Sequence, residues 1–331
     1  MTQDAALKGL SASDNAAYGA VFGALVGDAA GATLEFIGRS PTKKEVREAL
    51  KMIGGGVWQI APGQITDDGE LTLASLHALS KQPEYSADLV ASAYIAWANS
   101  KPFDMGMATA NALSGVTPKS GEGCSEAVLE AAAYYNMGSK ANGALMRSTA
   151  LAVWSTRVTV EEAIKLAQLD ARLTHPNLSC QYANAAYIVA IRHLVLQPGD
   201  RTGALKTAAE TLQVLGAEEV RAWFDHALVD GEVSCHPTAG FIKIAFTLAF
   251  KHLAKSTAYE TALSETLMGG GDTDTNACIV GGLLGTLHGV NGIPVAMTQA
   301  LLSCDTKLGR KRPPLYSTRD LVKDMKRLRE L

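Results

Sequence analysis

Apolar positions recur along most of this chain at the three-to-four-residue spacing of a helix face, while apolar–polar alternation typical of half-buried strands is scarce. Alanine, leucine and other helix formers fill the periodic segments, and short breaks of glycine, proline or asparagine separate them. The pattern predicts an all-α protein, a compact multi-helix single domain. Helices are expected over roughly residues 14–31, 68–80, 86–99, 122–135, 159–170, 178–196, 201–214, 237–253, 258–267, 275–288 and 317–330. No low-complexity linker divides them, so residues 14–331 are expected to fold as one domain, preceded by a flexible N-terminal extension over residues 1–13.

Two of these helices carry glycine at every fourth position: Gly19, Gly23, Gly27 and Gly31 on the first, and Gly281, Gly285 and Gly289 on a late one. Glycine inside a helix costs about 0.5–1 kcal/mol relative to alanine, so such stripes need a packing reason. Tyr18, Asp28, Asn276 and His288 break the apolar runs, which argues against membrane spans. The two helices are expected at the centre of the protein, in close backbone contact.

Composition narrows the function classes. The chain has 331 residues and 47% hydrophobic content, ample for a packed core. Its 30 Lys and Arg against 33 Asp and Glu leave a net charge of -3, which gives no general attraction to nucleic acid or an anionic membrane. Five scattered cysteines, without a CxxC pair, fit neither a disulfide framework nor a thiolate zinc site and are expected to be reduced. The N-terminus lacks a signal-peptide pattern, and the expectation is a cytoplasmic protein. Without a long heptad or an apolar stripe, it is expected to be a monomer.

Oxygen-bearing side chains gather at two predicted helix starts. Thr66-Asp67-Asp68 precedes one apolar helix, and Gly269-Gly270-Gly271-Asp272-Thr273-Asp274-Thr275-Asn276 precedes another. Capping explains one oxygen at such a place, because Thr and Asp accept hydrogen bonds from free N–H groups. Two aspartates and a threonine at each start also suit a pair of hard divalent cations, magnesium or manganese. An EF-hand is excluded, since Ala277 replaces the turn glycine and Leu283 the bidentate Glu. The seven histidines show no HxH or HExxH arrangement for zinc.

The segments GALVGDAAGATLEF (23–36), ITDDGELTLA (65–74), ANGALMR (141–147), Thr174-His175 and GGGDTDTNACIVGGLLG (269–285), in this order, resemble the ADP-ribosylglycohydrolase family. The resemblance implies a compact all-α fold with a central dinuclear magnesium or manganese site, which removes ADP-ribose from a modified protein side chain or a small acceptor. By similarity, Thr66, Asp67, Asp68, Asp272, Asp274 and Thr275 would hold the metals, with Glu35, Asp68 and Asp272 taking part in catalysis. Asn142, Gly143 and His175 would line the ligand site, together with Gly138, Ser139 and Gly271. Two departures stand out: Gly69 follows Asp68 where many members carry a threonine, and Ser139 occupies a position where some carry an acid. The second leaves Glu35 as the expected general base.

Cleaving a glycosidic bond at a ribose passes through an oxocarbenium-like state, so the site must orient the sugar and activate water. Backbone N–H groups of Gly138-Ser139 and Asn142-Gly143, ahead of a helical segment with Met146 and Arg147, are expected to receive a diphosphate. Arg147 is read equally as an ion pair behind that loop or a ligand contact. Phe241 is read first as core packing and second as a flank for adenine. Two alternatives stay open from sequence: a non-catalytic ADP-ribose-binding or structural relative, and a two-metal hydrolase of the diphosphate itself.

Overall fold

The computed structural model describes residues 7, 9–117 and 123–331. Much of the expected N-terminal extension, and the first residue of the helix expected from 122, lie outside the described residues. Among the described residues the protein is helical throughout, with two isolated β-bridges and no strand. The helices are α1 (Ala12–Gly31), α2 (Lys43–Ala49), α3 (Asp67–Leu79), α4 (Ala87–Asn99), α5 (Met107–Leu113), α6 (Cys124–Asn136), α7 (Thr149–Trp154) and α8 (Val160–Arg172). They continue as α9 (Leu178–Leu196), α10 (Arg201–Val214), α11 (Glu218–Leu228), α12 (Ile242–Lys255), α13 (Tyr259–Met268), α14 (Thr273–His288), α15 (Val295–Leu302) and α16 (Leu321–Glu330).

The glycine stripes form the centre. A Cβ placed on Gly19, Gly23, Gly27 or Gly31 would fall well under 3.0 Å from the backbone of Gly285, Gly281, Ala277 or Thr273 respectively. The partner number falls as the α1 number rises, so α1 and α14 run antiparallel with backbones in direct contact. Tyrosine hydroxyls clasp this pair: Tyr259 donates to the carbonyl of Gly23 at 2.7 Å, and Tyr187 to that of Ile279 at 2.7 Å. At the far end the Thr273 hydroxyl donates to the Gly31 carbonyl at 2.8 Å. The C-terminus of α1 is thereby fixed beside the N-terminus of α14, which brings the chain around Glu35 to Asp272 and Asp274.

Around this pair, α12 and α13 pack on α14, α11 on α12, and α9 between α8 and α10. On the other side α3 packs on α4, and α5 on α6. The five cysteines are free, and four of them are buried. No helix among the described residues is long and apolar enough to cross a membrane.

One buried ion pair ties the chain's end to α3. Arg312 donates through Nε and Nη2 to the Glu70 carboxylate at 2.7 Å each, and Trp97 donates its indole N–H to the same carboxylate at 2.8 Å. Both ionic side chains are nearly inaccessible, at 3% and 2% exposure. A lysine in place of Arg312 keeps the charge but loses the planar fork and its bonds to the Ser100 and Lys101 carbonyls. Arg312→Lys is therefore expected to cost roughly 2 kcal/mol, readable as a lowered urea midpoint with unchanged slope.

Three expectations change in detail. The helix expected from 237 begins at Ile242, because backbone around 240–242 pairs with the loop at 140–142: Asn142 N–H donates to Gly240 O at 3.1 Å and Ile242 N–H to Lys140 O at 2.9 Å. Met146 and Arg147 lie in turns ahead of α7 rather than inside a helix. The last helix starts at Leu321, after a 3-10 turn over Thr318–Asp320.

Candidate active site

The ends of α1, α3 and α14 and the loop before α5 enclose a cavity of about 790 Å³, within the range that takes a nucleotide-sized ligand. Glu35, Asp67, Asp104, Asp272 and Asp274 line it, and Asp68 lies beside them, 1% exposed. Carboxylate oxygens of Glu35, Asp272 and Asp274 approach within 4.8 Å of one another, a spacing that could hold a metal ion. Burial first, then mutual repulsion, pushes the carboxyls of Asp67, Asp68 and Asp274 well above the ordinary range. Glu35 is pushed up to about 8 by burial and by Asp104, against the lowering effect of Trp58.

Helix capping does not account for these acids. Thr66 and Asp272 occupy the N-cap positions of α3 and α14, yet neither side chain makes a capping hydrogen bond. Thr66 instead donates its hydroxyl to Asp28 at 2.8 Å. Asp28, fully buried on α1, also accepts from the Thr66 and Gly69 N–H groups at 3.0 and 2.8 Å. The brace leaves no room for a side chain at residue 69: a Cβ there would sit 2.7 Å from Asp28 Oδ2 and 2.8 Å from Leu25 and Ile65. Asp28 is itself held up to about 7 by burial, despite three donors.

The braced start of α3 presents Asp68 to Thr275. Asp68 Oδ2 has the Thr66 and Thr275 hydroxyls at 3.4 Å each, while its buried Oδ1 has no hydrogen-bond partner. A buried carboxylate oxygen without a donor carries the full desolvation cost of its charge. Five carboxylates on the lining, with Asp68 buried beside them, form an all-oxygen donor set that fits a hard divalent cation. Gly270 and Gly271, both at positive φ (+69° and +74°), turn the chain into α14 so that Asp272 and Asp274 face the same space.

Glu35 follows α1 in a turn and is 7% exposed. Trp58 donates its indole N–H to Glu35 Oε2 at 2.8 Å. The Trp58 ring is itself held between Phe36 and Phe103. Ser139 and the segment 141–143 also line the cavity, and Asn142 donates its amide to Asp272 Oδ2 at 2.7 Å. Gly138 lies off the cavity lining, and Ser139, Asn142, Gly143 and Gly271 lie on it. His175 also lines the cavity, against Gly143, where a Cβ would meet its ring at 2.9 Å. Burial, helped by Arg147, pushes His175 down to about 3, so it presents a neutral ring.

Arg147 stands behind this loop. It is fully buried, donates to Thr174 Oγ1 at 2.8 Å and to the Asp170 carbonyl and carboxylate at 2.9 and 3.3 Å, and stacks 4.4 Å over Tyr94. Phe241 packs edge-on against Trp223 at 5.5 Å and stays off the main cavity. Sequence reasoning passed over three residues here: Asp28, Trp58 and Asp104. Asp28 had a readable signal, an acid interrupting the apolar C-terminal half of its helix. Asp104, pushed up to about 6 by burial and Asp272, sits in a loop with no periodicity to place it.

The model of the ADP-ribosylglycohydrolase family matches residues 10–328. A protein of Acanthamoeba polyphaga mimivirus, provisionally named an ADP-ribosyl glycohydrolase, is 32% identical over 310 residues, spanning 87% of this chain and 91% of its own. The ADP-ribosyl-[dinitrogen reductase] glycohydrolase of Rhodospirillum rubrum is 29% identical, over 84% of this chain and 87% of that one. An ADP-ribosylarginine hydrolase of Pseudomonas putida is 26% identical, over 84% and 72%. A solved structure titled as an ADP-ribosylglycohydrolase-related protein complex shares the fold, with a TM-score of 0.74 at 21% identity over 97% of this chain and 99% of that one. With the match running nearly end to end, the chain belongs to the ADP-ribosylglycohydrolase family.

Proposed function

We propose that this protein hydrolyses the bond between ADP-ribose and an arginine side chain, releasing ADP-ribose. The observation that carries the reading is the convergence of five carboxylates from separate chain segments on the lining of a nucleotide-sized cavity, with Asp68 buried beside them. Two of its relatives, named for ADP-ribosylarginine or for ADP-ribosyl dinitrogen reductase, support the reaction class. The acid wall itself supports arginine: a guanidinium is always cationic, and Asp104 on the lining offers it a carboxylate.

In this reading Thr66, Asp67, Asp68, Asp272, Asp274 and Thr275 hold two divalent cations, magnesium or manganese. When bound, such ions orient ribose hydroxyls and lower the pKa of water. The remaining work belongs to the chain. Ser139, Asn142, Gly143 and Gly271 present polar groups to the diphosphate and distal ribose, and neutral His175 buttresses that loop. Glu35, positioned by Trp58 beside the acid cluster, moves the proton between the attacking water and the departing guanidine. Asn142, tied to Asp272, couples the ligand loop to the acidic wall.

The test is product release from arginine-linked and serine-linked ADP-ribose, with magnesium or manganese and with chelator. Metal-dependent release of free ADP-ribose from the arginine substrate is expected, and Glu35→Gln is expected to lower its kcat about 10²-fold with little change in KM. Release from serine alone would move the acceptor assignment. AMP in place of ADP-ribose would replace glycosidic by diphosphate cleavage, and tight ADP-ribose binding without release would make the protein a binder.

A further inference from the structure

From Phe36 on the cavity lining outward, aromatic rings and an arginine form a continuous ladder, a lip that leads away from the cavity. Phe36 packs edge-on against Trp58 with centroids 6.0 Å apart, Trp58 lies 5.8 Å from Phe103, and the Arg310 guanidinium sits 5.5 Å over the Phe103 ring. At the inner end Phe36 lines the cavity and is 63% exposed. At the outer end Arg310 is exposed while its backbone is fixed: its N–H donates to Gln64 Oε1 at 3.0 Å, and its carbonyl accepts from Gln64 Nε2 at 2.6 Å. Lys311 follows it, also exposed. Arg312 turns inward and donates to the Lys101 carbonyl at 3.1 Å, which places exposed Lys101 beside the same edge.

Three exposed cations thus gather at the outer end of this ladder, off the cavity lining itself, in a chain of net charge -3. Lys101, Arg310 and Lys311 have no carboxylate within ion-pair distance among the described residues. Compensation of buried acid on this side is already supplied by Arg312, paired to Glu70 at 2.7 Å. Hydrated charges at the surface are screened from the buried cluster, so they contribute little to it. An anionic surface brought against the lip would meet all three, and the half-buried Phe103 ring under Arg310 adds an apolar face to the contact.

We propose that this lip docks an acidic protein surface surrounding the ADP-ribosylated side chain, so that protein acceptors gain an interaction that small acceptors lack. The inference rests on the hydrolytic reading above, and the experiment separates the two. Lys101→Gln, Arg310→Gln and Lys311→Gln are combined in one variant, which leaves the Gln64 and Arg312 anchors in place. Wild type and variant are assayed on ADP-ribosylarginine peptides flanked by glutamates, on the same peptides flanked by lysines, and on free ADP-ribosylarginine.

The wild type is expected to prefer the glutamate peptide, and the variant to lose roughly tenfold in kcat/KM on it, mostly through KM, with free ADP-ribosylarginine unchanged within twofold. Raising salt should erase the wild type's preference and leave the variant's rates flat. Equal use of the two peptides by wild type, or an equal loss on free ADP-ribosylarginine, would overturn the docking role; the latter would make the three cations part of the cavity's own field. Should no substrate be cleaved, the hydrolytic reading fails. Docking is then judged by fluorescence anisotropy of the same labelled peptides, where tenfold tighter glutamate-peptide binding by wild type than by variant supports it and equal binding overturns it.

Discussion

Asparagine in place of Asp68 is expected to lower ADP-ribose release by roughly 10³-fold and, in the same protein, to raise the melting temperature measured in chelator. The two effects have one origin. Asp68 is buried, one of its oxygens has no donor, and its neighbours are other carboxylates. That arrangement suits a cation and harms the fold that lacks one. Losing a ligand that supports several kcal/mol of transition-state stabilisation corresponds to about a thousandfold in rate.

The stability half follows from proton linkage. Carboxyls whose folded pKa lies above the unfolded value bind protons more tightly when folded, so stability falls as pH rises from the unfolded pKa toward the folded one. Asp104 at about 6, Asp28 at about 7 and Glu35 at about 8 set the window. Chelated wild type is expected to lose stability progressively between about pH 4 and pH 8. Asp68→Asn should flatten that profile, and added magnesium or manganese should restore the wild type far more than the variant. A variant that kept full turnover, or melted lower than wild type in chelator at pH 8, would contradict this account of Asp68.

Gly23→Leu is expected to destabilise the protein by more than about 4 kcal/mol, enough to leave little folded chain, since domains hold only about 5–15 kcal/mol in total. Most large side chains in a core can move aside when a neighbour grows. Here the obstacle is the backbone of Gly281 and Gly285, hydrogen-bonded inside its own helix and unable to yield without parting α1 from α14. Even Gly23→Ala should be clearly destabilising, unlike most glycine-to-alanine changes in helices. Gly106 has open space at its Cβ position, and Gly106→Ala is expected to change the urea midpoint by no more than about 0.5 kcal/mol equivalent. Comparable midpoints for the Gly23 and Gly106 variants would refute the seam.

Much of this architecture was legible because it is written in periodicities. The four-residue glycine stripes announced the α1–α14 contact, and the two Thr/Asp groups announced where the acids would meet. What escaped was short or aperiodic. Lys43–Ala49, Met107–Leu113, Thr149–Trp154 and Val295–Leu302 span too few turns for a hydrophobic repeat to stand out. Glu218–Leu228 was readable and missed: its buried Val220, Trp223, Phe224 and Ala227 follow helical spacing. Asp104 and Trp58 reach the cavity only through tertiary folding of loops, which carries no local signature. Capping, a sufficient account of each acidic segment by itself, lost its force when Thr66 turned its hydroxyl to Asp28 instead of to its own helix.

The same seam that holds α1 to α14 also dictates how the site can move. With backbone meshed against backbone every fourth residue, these helices behave like a rack with a tooth every four residues: a small slide would drive a carbonyl into a neighbouring Cα, and the next matching register is about 6 Å away. The spacing between the end of α1 and the start of α14 is therefore locked, and with it the anchor points of Glu35, Asp272 and Asp274. Any opening of the cavity is therefore expected to come from the loops beyond these helix ends, while the helix ends themselves keep their gauge.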